Sequence, residues 1–402
     1  MRLNKYFPFA FIYFFVNSLA LPFGLTYTAL LAPVFYTWII LIRKKEILLP
    51  FLLILSPFIV VHNLFTGVET TPYFISLLNL VLVYIFCQAV YTFLRVCQDI
   101  EKIFRKILVL NFIACLLAIP LYFTPYFHWA WMQQELSAGV KDVKRLRLFT
   151  YEPSYYALLF TPIFFYFLLQ YLFRQHTIQP GLLLLMLFLP YILSFSLGVI
   201  GAALLAGIIT WIIYFGRLTR KKRILNAFIY TGVFVCAVMM ILVLFFRDNP
   251  VFTRFLNIFS GQDTSGKGRT TDAFMIANKL LDENNEWFGI GLGQIKIAGE
   301  SVIRKYYLYF GETTITIPNA VAETLAIFGI FGLLLRFGFE IFFFFYTRVW
   351  TNYYRLLLFL FVFIYQFTGS FITNVAEYVI WILSFAGSFK QFDVVERRES
   401  IK

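Results

Sequence analysis

Charged side chains are scarce in this chain. Asp, Glu, Lys and Arg make up only 14% of its 402 residues, whereas 60% are hydrophobic and 21% aromatic. A soluble chain of this length could not bury so much apolar surface, because the ratio of accessible surface to volume falls too slowly with size. The apolar residues come in runs of roughly 17 to 25, the length that crosses about 30 Å of hydrocarbon. The composition therefore excludes a soluble globular protein and indicates a polytopic membrane protein.

Cysteine and histidine are also few, with four and three residues. The cysteines avoid the predicted outer loops and form no CxxC spacing, so neither a disulfide framework nor a zinc site is expected. The chain lacks a Walker motif, a Rossmann glycine fingerprint and a Gly-x-Ser-x-Gly elbow, which disfavours an ATP-driven pump. We expect no metal and no cofactor.

The apolar runs predict an all-α polytopic membrane protein with about twelve transmembrane helices, in which 1–402 forms a single integral membrane domain. "SFSLG" at 194–198 offers only a tight turn, so this region could instead form one kinked pair. Arg336 and Glu340, four residues apart in the tenth span, are predicted to form an internal ion pair. The predicted spans are 6–22, 25–42, 47–61, 73–94, 107–123, 153–173, 180–196, 198–215, 224–246, 318–346, 356–372 and 375–389.

The distribution of Lys and Arg predicts the orientation. If the N-terminus is inside, the inner segments hold 21 of the 34 Lys and Arg residues, and the much longer outer loops hold 12. Both termini are therefore predicted to be cytoplasmic. The same bias explains most of the formal charge of +13. The sequence shows no soluble basic domain that could bind a nucleic-acid duplex, so nucleic acid is not an expected partner.

Two connections are long, at about 124–151 and about 247–317, and both fall on the predicted extracytoplasmic face. Long polar loops on a rigid scaffold are where a water-exposed site is built. Within the second loop, Asp272 to Leu281 predicts an amphipathic helix with Thr270 or Thr271 as its N-cap. "FGIGLG" at 288–293 has glycines at alternate positions, which suits close backbone approach to a ligand or, alternatively, packing against helices.

Arg145, Arg147 and Glu152 lie in "RLRLFTYEPSYYALLF" (145–160), at the edge of an apolar helix. The local interpretation is that Glu152 caps this helix and pairs with one of the two arginines. The alternative is a site in which the arginines bind phosphate oxygens and Glu152 acts as a base toward a sugar hydroxyl. Arg269, in the second loop, matters to that site only if the fold brings it to the arginine pair.

Two further pairs of polar residues need an explanation. Asn319 and Glu323 are one helical turn apart at the outer end of the tenth span, where a carboxylate is costly. Arg304 and Lys305 lie in "SVIRKYYLYF", an amphipathic piece predicted to meet anionic headgroups of membrane lipids.

Taken in order, these motifs resemble a known family. They are an Arg shortly before "EPSYYA", "SFSLG" between two spans, an outer loop beginning "GR" and containing "GIGLG", and then "PNAVAETLAIFGIFG". From about Arg145 to Leu335 the chain resembles the Wzy-type O-antigen polymerase and O-antigen ligase superfamily of bacterial envelope glycosyltransferases. Members join glycans carried on undecaprenyl pyrophosphate outside the inner membrane, without nucleotide sugar or ATP.

The resemblance implies a polysaccharide polymerase of the bacterial cytoplasmic membrane, acting in capsule or lipopolysaccharide synthesis. Arg145 or Arg147, together with Arg269, would hold the donor pyrophosphate. Arg304 and Lys305 are predicted as further substrate-binding residues from the amphipathic pattern of their own segment. The implied partners are the lipid-linked glycan donor and acceptor, membrane lipids, a flippase and a chain-length regulator.

One position departs from the family pattern. Many relatives carry a His-Asn pair before the last glycine-rich helix, and here that position is Pro318, followed by Asn319. A ligase-like histidine mechanism is thereby in doubt, which directs the catalytic prediction to Glu152, Glu323 and Asn319, with His128 as a substitute candidate. A ligase of the same superfamily and a lipid-linked oligosaccharide flippase or transporter remain the alternatives.

Overall fold

The computed structural model describes residues 5–19, 26–44, 46–134, 143–175, 177–218, 257, 260, 264–300, 302 and 316–394. These residues are mainly helical. The only strands among them are β1 (Trp131–Gln134) and β2 (Val143–Leu146), an antiparallel pair within the long connection at 124–151. The helical fold class predicted from the apolar runs is confirmed.

The helices are numbered along the described residues. They are α1 (Phe7–Val16), α2 (Tyr27–Leu30), α3 (Ala32–Arg43), α4 (Leu48–Thr66), α5 (Thr70–Val96), α6 (Ile100–Leu121), α7 (Pro153–Phe173), α8 (Pro180–Ser194), α9 (Leu197–Ile213), α10 (Phe215–Leu218), α11 (Thr264–Arg269), α12 (Thr271–Asp282), α13 (Ala320–Tyr346), α14 (Tyr353–Tyr365) and α15 (Val375–Phe385).

Five of these helices are long and apolar enough to cross a membrane: α4, α5, α6, α7 and α13. Six shorter apolar helices of 10–17 residues accompany them. Together they overlap eleven of the twelve predicted spans, and the span at 224–246 lies outside the described residues. The apolar helices indicate a membrane-embedded protein, while the number of crossings stays a prediction.

The predicted break between two helices at "SFSLG" is confirmed. α8 ends at Ser194, and Phe195 adopts a left-handed conformation with φ of 45° before α9 begins at Leu197. A residue with left-handed backbone angles cannot continue a right-handed helix, so the chain turns sharply at Phe195.

The larger apolar core surrounds α7. Seventeen of its twenty-one residues are buried, on every side of the helix. A helix that is apolar all round belongs in the interior of a bundle. Helices α9, α14 and α15 contribute to the same core, so the N-terminal end of α7, where Glu152 lies, is anchored by the best-packed part of the protein.

A second core joins α12 to α13 and to the α4–α5 region. The predicted amphipathic helix is confirmed as α12, and its apolar stripe is buried: Ala273, Ile276, Ala277 and Leu280. The predicted threonine cap is not formed by a side chain. Thr270 occupies the N-cap position, but its hydroxyl donates to the carbonyl of Gly266 at 2.9 Å.

The glycines of "FGIGLG" fit into a break in α13. Gly329 has φ of 64° and ψ of −161°, which interrupts the helix and frees its backbone groups. Four backbone hydrogen bonds with residues 286–291 satisfy those groups. They join Ile290 N to Ala326 O (2.9 Å), Gly291 N to Ile327 O (3.0 Å), Ile330 N to Glu286 O (3.0 Å) and Phe331 N to Trp287 O (3.1 Å).

The two segments approach too closely for side chains. A Cβ on Gly289 would lie 2.5 Å from the carbonyl carbon of Ile327, and one on Gly329 would lie 2.5 Å from that of Trp287. The glycines therefore serve packing against a helix, which was one of the two interpretations of this motif.

We predict that Gly329→Ala strongly destabilises the protein. The left-handed φ alone costs about 1–2 kcal/mol for an alanine, and the clash with the Trp287 backbone adds to it. Gly338→Ala in the same helix is the matched control, because a Cβ there meets nothing within 4 Å. Thermal unfolding of the detergent-solubilised protein measures both. Equal midpoints for the two variants would contradict the interlocked break.

Candidate functional site

Glu152 lies at the N-terminal end of α7, in the N-cap position with extended backbone. Its carboxylate accepts a hydrogen bond from the Ser154 hydroxyl and makes an ion pair with Arg269 at 3.5 Å. The side chains of Glu152 and Arg269 are 25% and 33% exposed. Residues of the two long connections, 117 apart in the chain, thus meet in a partly exposed pair. The sequence had suggested Arg145 or Arg147 as the partner of Glu152.

Asn319 fixes the backbone of Arg269. Its amide nitrogen donates to the carbonyl of Arg269 at 2.8 Å and to that of Phe367 at 2.7 Å. Its side-chain oxygen accepts from the backbone N–H groups of Val321 and Ala322, which caps α13. Asn319 is completely buried and all four of its amide hydrogen-bonding positions are used, so its contribution to the site is positional.

Arg145 is buried between β2 and the end of α8. It lies on β2 opposite Met132 and is only 6% exposed. Its Nε donates to the carbonyl of Ser194 at 3.1 Å, and one terminal nitrogen donates to the Gln134 side chain at 3.3 Å. The Ser194 carbonyl is at the end of α8, where no further helical turn can satisfy it. Arg145 therefore links β2 to the break between α8 and α9.

Arg147 stabilises the connection between β2 and α7. Its terminal nitrogens donate to the carbonyls of His128 at 2.8 Å and Thr150 at 3.2 Å. Its buried Nε has no hydrogen-bond partner among the described residues. The His128 ring contacts the Pro125 carbonyl at 3.3 Å, so His128 meets Arg147 through its backbone.

Two tyrosines that the sequence analysis did not single out lie among these charges. Arg269, Glu152 and Arg145 all act electrostatically on the Tyr365 hydroxyl, at the end of α14. Tyr151 is 44% exposed. Desolvation raises the pKa of Tyr151 well above the usual value, the neighbouring Tyr155 and Glu152 raise it further, and the charge of Arg269 lowers it. Tyr365 thus marks where both arginine-bearing segments converge.

Glu323 lies in the first turn of α13, after the N-cap residue Asn319. Its carboxylate accepts the backbone N–H of Ile372 at 2.6 Å, in the turn between α14 and α15. It is partly exposed and one helical turn from Asn319, as the spacing predicted. Arg304 and Lys305 lie outside the described residues.

A second charged cluster lies deeper between the apolar helices. The predicted pair of Arg336 and Glu340 is confirmed at 3.2 Å. Arg336 also contacts Glu377 of α15 and donates to the Gln366 side chain at 2.7 Å. Glu377 was missed because its partner is 41 residues away and no local spacing reveals it. Arg336 and Glu340 line a cavity of about 310 Å³ whose walls are otherwise largely aromatic.

In the described part of the chain, no three His, Cys, Asp or Glu side chains lie close enough together to hold a metal ion. The pair of Glu152 and Arg269 offers the chemistry of its own side chains. An arginine fork can bind anionic oxygens, and a neighbouring carboxylate can accept a proton or orient a hydroxyl.

No known protein family matches the chain, and no curated protein matches it.

We predict that Arg269 and Glu152 stabilise each other only weakly. Both are partly exposed, and such pairs contribute about 0.2–1 kcal/mol. A double-mutant cycle with Arg269→Gln and Glu152→Gln, followed by chemical unfolding in mixed micelles, measures the coupling. The pair of Arg105 and Glu101, at 2.7 Å on the surface of α6, is the matched control. A coupling above about 3 kcal/mol would instead indicate a closed structural bridge.

Proposed function

We propose that this protein is a membrane glycosyltransferase that polymerises oligosaccharide repeats carried on undecaprenyl pyrophosphate. The observation that carries the proposal is the meeting of Arg269 with Glu152, with Arg145 and Arg147 on the adjoining segment. Arginine binds phosphate oxygens in a planar fork and keeps its charge in any environment. A carboxylate directly beside such a fork suits transfer of a sugar from a pyrophosphate to a hydroxyl.

Arg269 is the arginine we assign to direct contact with the donor pyrophosphate, because its guanidinium is partly exposed and its backbone is fixed by Asn319. Arg145 and Arg147 donate to backbone carbonyls. We therefore assign to them the shaping of the backbone near Glu152 and the supply of positive charge. Arg304 and Lys305 remain proposed as additional contacts for substrate or lipid headgroups.

The exposed pair suggests how the reaction begins. A pyrophosphate carries more negative charge than a carboxylate, so it can displace Glu152 from Arg269. Glu152 is then free to accept the proton of the acceptor hydroxyl, whose oxygen forms a bond to the anomeric carbon. The bond from that carbon to the pyrophosphate oxygen breaks, and the leaving anion stays paired with arginine. Glu323 is the alternative base.

The setting we propose is the bacterial cytoplasmic membrane, with twelve spans, both termini cytoplasmic and the site on the extracytoplasmic face. The apolar helices and the Lys and Arg bias support this arrangement. No metal or other cofactor is required if arginines stabilise the leaving pyrophosphate. The proposed partners are the lipid-linked donor and acceptor, membrane lipids, a flippase and a chain-length regulator.

A transporter or flippase is the second candidate, and the buried cluster around Arg336 is the observation that favours it. Ionisable groups inside a membrane often mark a substrate or proton path. A ligase of the same superfamily differs only in its acceptor, and Pro318 stands where its histidine would be expected.

We predict that Arg269→Ala and Arg147→Ala abolish long-chain surface glycan while the protein inserts at normal levels. Arg269→Lys should restore little, because an ammonium cannot reproduce a bidentate fork. Arg105→Ala, from the surface pair with Glu101, is the matched control and should leave the chain-length ladder unchanged. Gel analysis of surface polysaccharide measures the ladder. Normal ladders in both alanine variants would overturn the proposal.

A deletion strain separates the candidates. Loss of long chains with a single repeat still displayed on the surface indicates a polymerase. Unattached polymer that accumulates outside the membrane indicates a ligase, and repeats retained inside indicate a flippase.

A further inference from the structure

Ser154 is the second residue of α7, and its hydroxyl donates to Oε1 of Glu152, two positions earlier in the chain. A side chain in the N-cap position usually accepts from a backbone N–H of the first helical turn. Glu152 occupies that position without making such a bond. Its carboxylate instead contacts Ser154 and, at 3.5 Å, Arg269. The serine hydroxyl thus replaces the helix end as the local partner of this carboxylate.

Both contacts of the carboxylate are made through the same oxygen. Ser154 and Arg269 meet Oε1, whereas Oε2 of Glu152 has no hydrogen-bond or ion-pair partner among the described residues. An ionised carboxylate oxygen can accept a hydrogen bond from a hydroxyl group. Because the Glu152 side chain is partly exposed, a ligand hydroxyl can reach Oε2 without displacing a protein group.

The backbone of Glu152 is fixed separately from its side chain. The Thr150 hydroxyl lies 2.7 Å from the carbonyl oxygen of Arg147 and 2.9 Å from that of Glu152. The Glu152 carbonyl also accepts the N–H of Tyr156 at 3.0 Å, in the first turn of α7. With the backbone held, the direction of the carboxylate depends on the side-chain torsions, which are free to adopt several rotamers unless a partner restrains them.

We propose that Ser154 is a positioning residue that keeps Glu152 oriented after the substrate binds. This inference rests on the proposed function, in which the donor pyrophosphate displaces Glu152 from Arg269. Once that ion pair is broken, the Ser154 hydroxyl is the remaining hydrogen-bond partner of the carboxylate among the described residues. Held at Oε1, Glu152 presents Oε2 to the acceptor hydroxyl.

The transfer step then has a defined proton acceptor. The acceptor oxygen bonds to the anomeric carbon, its proton passes to Oε2 of Glu152, and the bond from that carbon to the pyrophosphate oxygen breaks. A general base has to stay within hydrogen-bond reach of the proton it removes, and a small misplacement costs much of the rate. Loss of the Ser154 hydroxyl should therefore slow the transfer, while Arg269 still binds the pyrophosphate.

Steady-state kinetics of Ser154→Ala in nanodiscs test this role, with the undecaprenyl-pyrophosphate-linked repeat isolated from the deletion strain as the substrate. We expect kcat to fall about 10- to 100-fold, which is part of the roughly 10²–10⁴-fold that a general base contributes. KM should stay within about threefold of the wild-type value, because ground-state binding is retained. Ser56→Ala is the matched control and should leave kcat unchanged, since that hydroxyl donates to the carbonyl of Leu53 within α4 at 2.8 Å.

Ser154→Thr separates orientation from structure, because it retains a hydroxyl at the same position. It should recover most of the lost kcat. Alanine and threonine variants that are equally slow, although both melt at the wild-type temperature, would overturn the role of the hydroxyl. An alanine variant with a lowered melting temperature and a normal kcat would also overturn it, because Ser154 would then act on stability alone.

Failure of this inference and failure of the proposed function give different results. Normal kcat in Ser154→Ala, with Arg269→Ala and Glu152→Gln inactive, would reject the role of Ser154 and leave the transferase in place. Full activity of Glu152→Gln with Arg269→Ala inactive would move the base to Glu323 and likewise reject it. A wild-type protein that does not elongate the lipid-linked repeat would overturn the transferase and, with it, the role of Ser154.

Discussion

An interrupted helix among apolar helices has to find hydrogen-bond partners for its freed backbone groups, and this constraint shapes the whole site. In α13 the interruption is at Gly329, and the segment from Glu286 to Gly291 supplies the missing partners. Because α12 precedes that segment directly and packs on α13, residues 271–291 are held on the bundle. The position of Arg269 follows from this attachment.

The other breaks recruit polar side chains in the same way. Arg145 satisfies the Ser194 carbonyl at the end of α8, and Asn319 satisfies the Phe367 carbonyl after α14. Glu323 accepts the Ile372 N–H in the same turn. Charged residues beside apolar helices therefore have a structural reason to be there. The pair of Glu152 and Arg269 differs, because both side chains are partly exposed and the Glu152 side chain makes no capping hydrogen bond although it occupies the N-cap position.

Local spacing predicted what depends on local contacts. The apolar runs indicated the helices, the stripe in α12 indicated its buried face, and the four-residue spacing indicated the pair of Arg336 and Glu340. The partner of Glu152 could not be predicted, because it arrives from another segment through tertiary packing. Glu377 was hidden for the same reason: on an apolar helix a single carboxylate gives no sign of an arginine elsewhere.

The two charged regions share one turn, and their different exposure bears on function. Gln366 binds Arg336 and Glu340, while the carbonyl of the next residue, Phe367, binds Asn319, which in turn holds Arg269. The guanidinium of Arg269 is partly exposed, whereas that of Arg336 is buried and already held by Glu340, Glu377 and Gln366. An anionic headgroup could therefore compete for Arg269 by displacing a single partly exposed carboxylate, but for Arg336 it would have to displace several buried partners. This difference is why we propose binding and chemistry at the pair of Glu152 and Arg269 and not passage of the headgroup past Arg336.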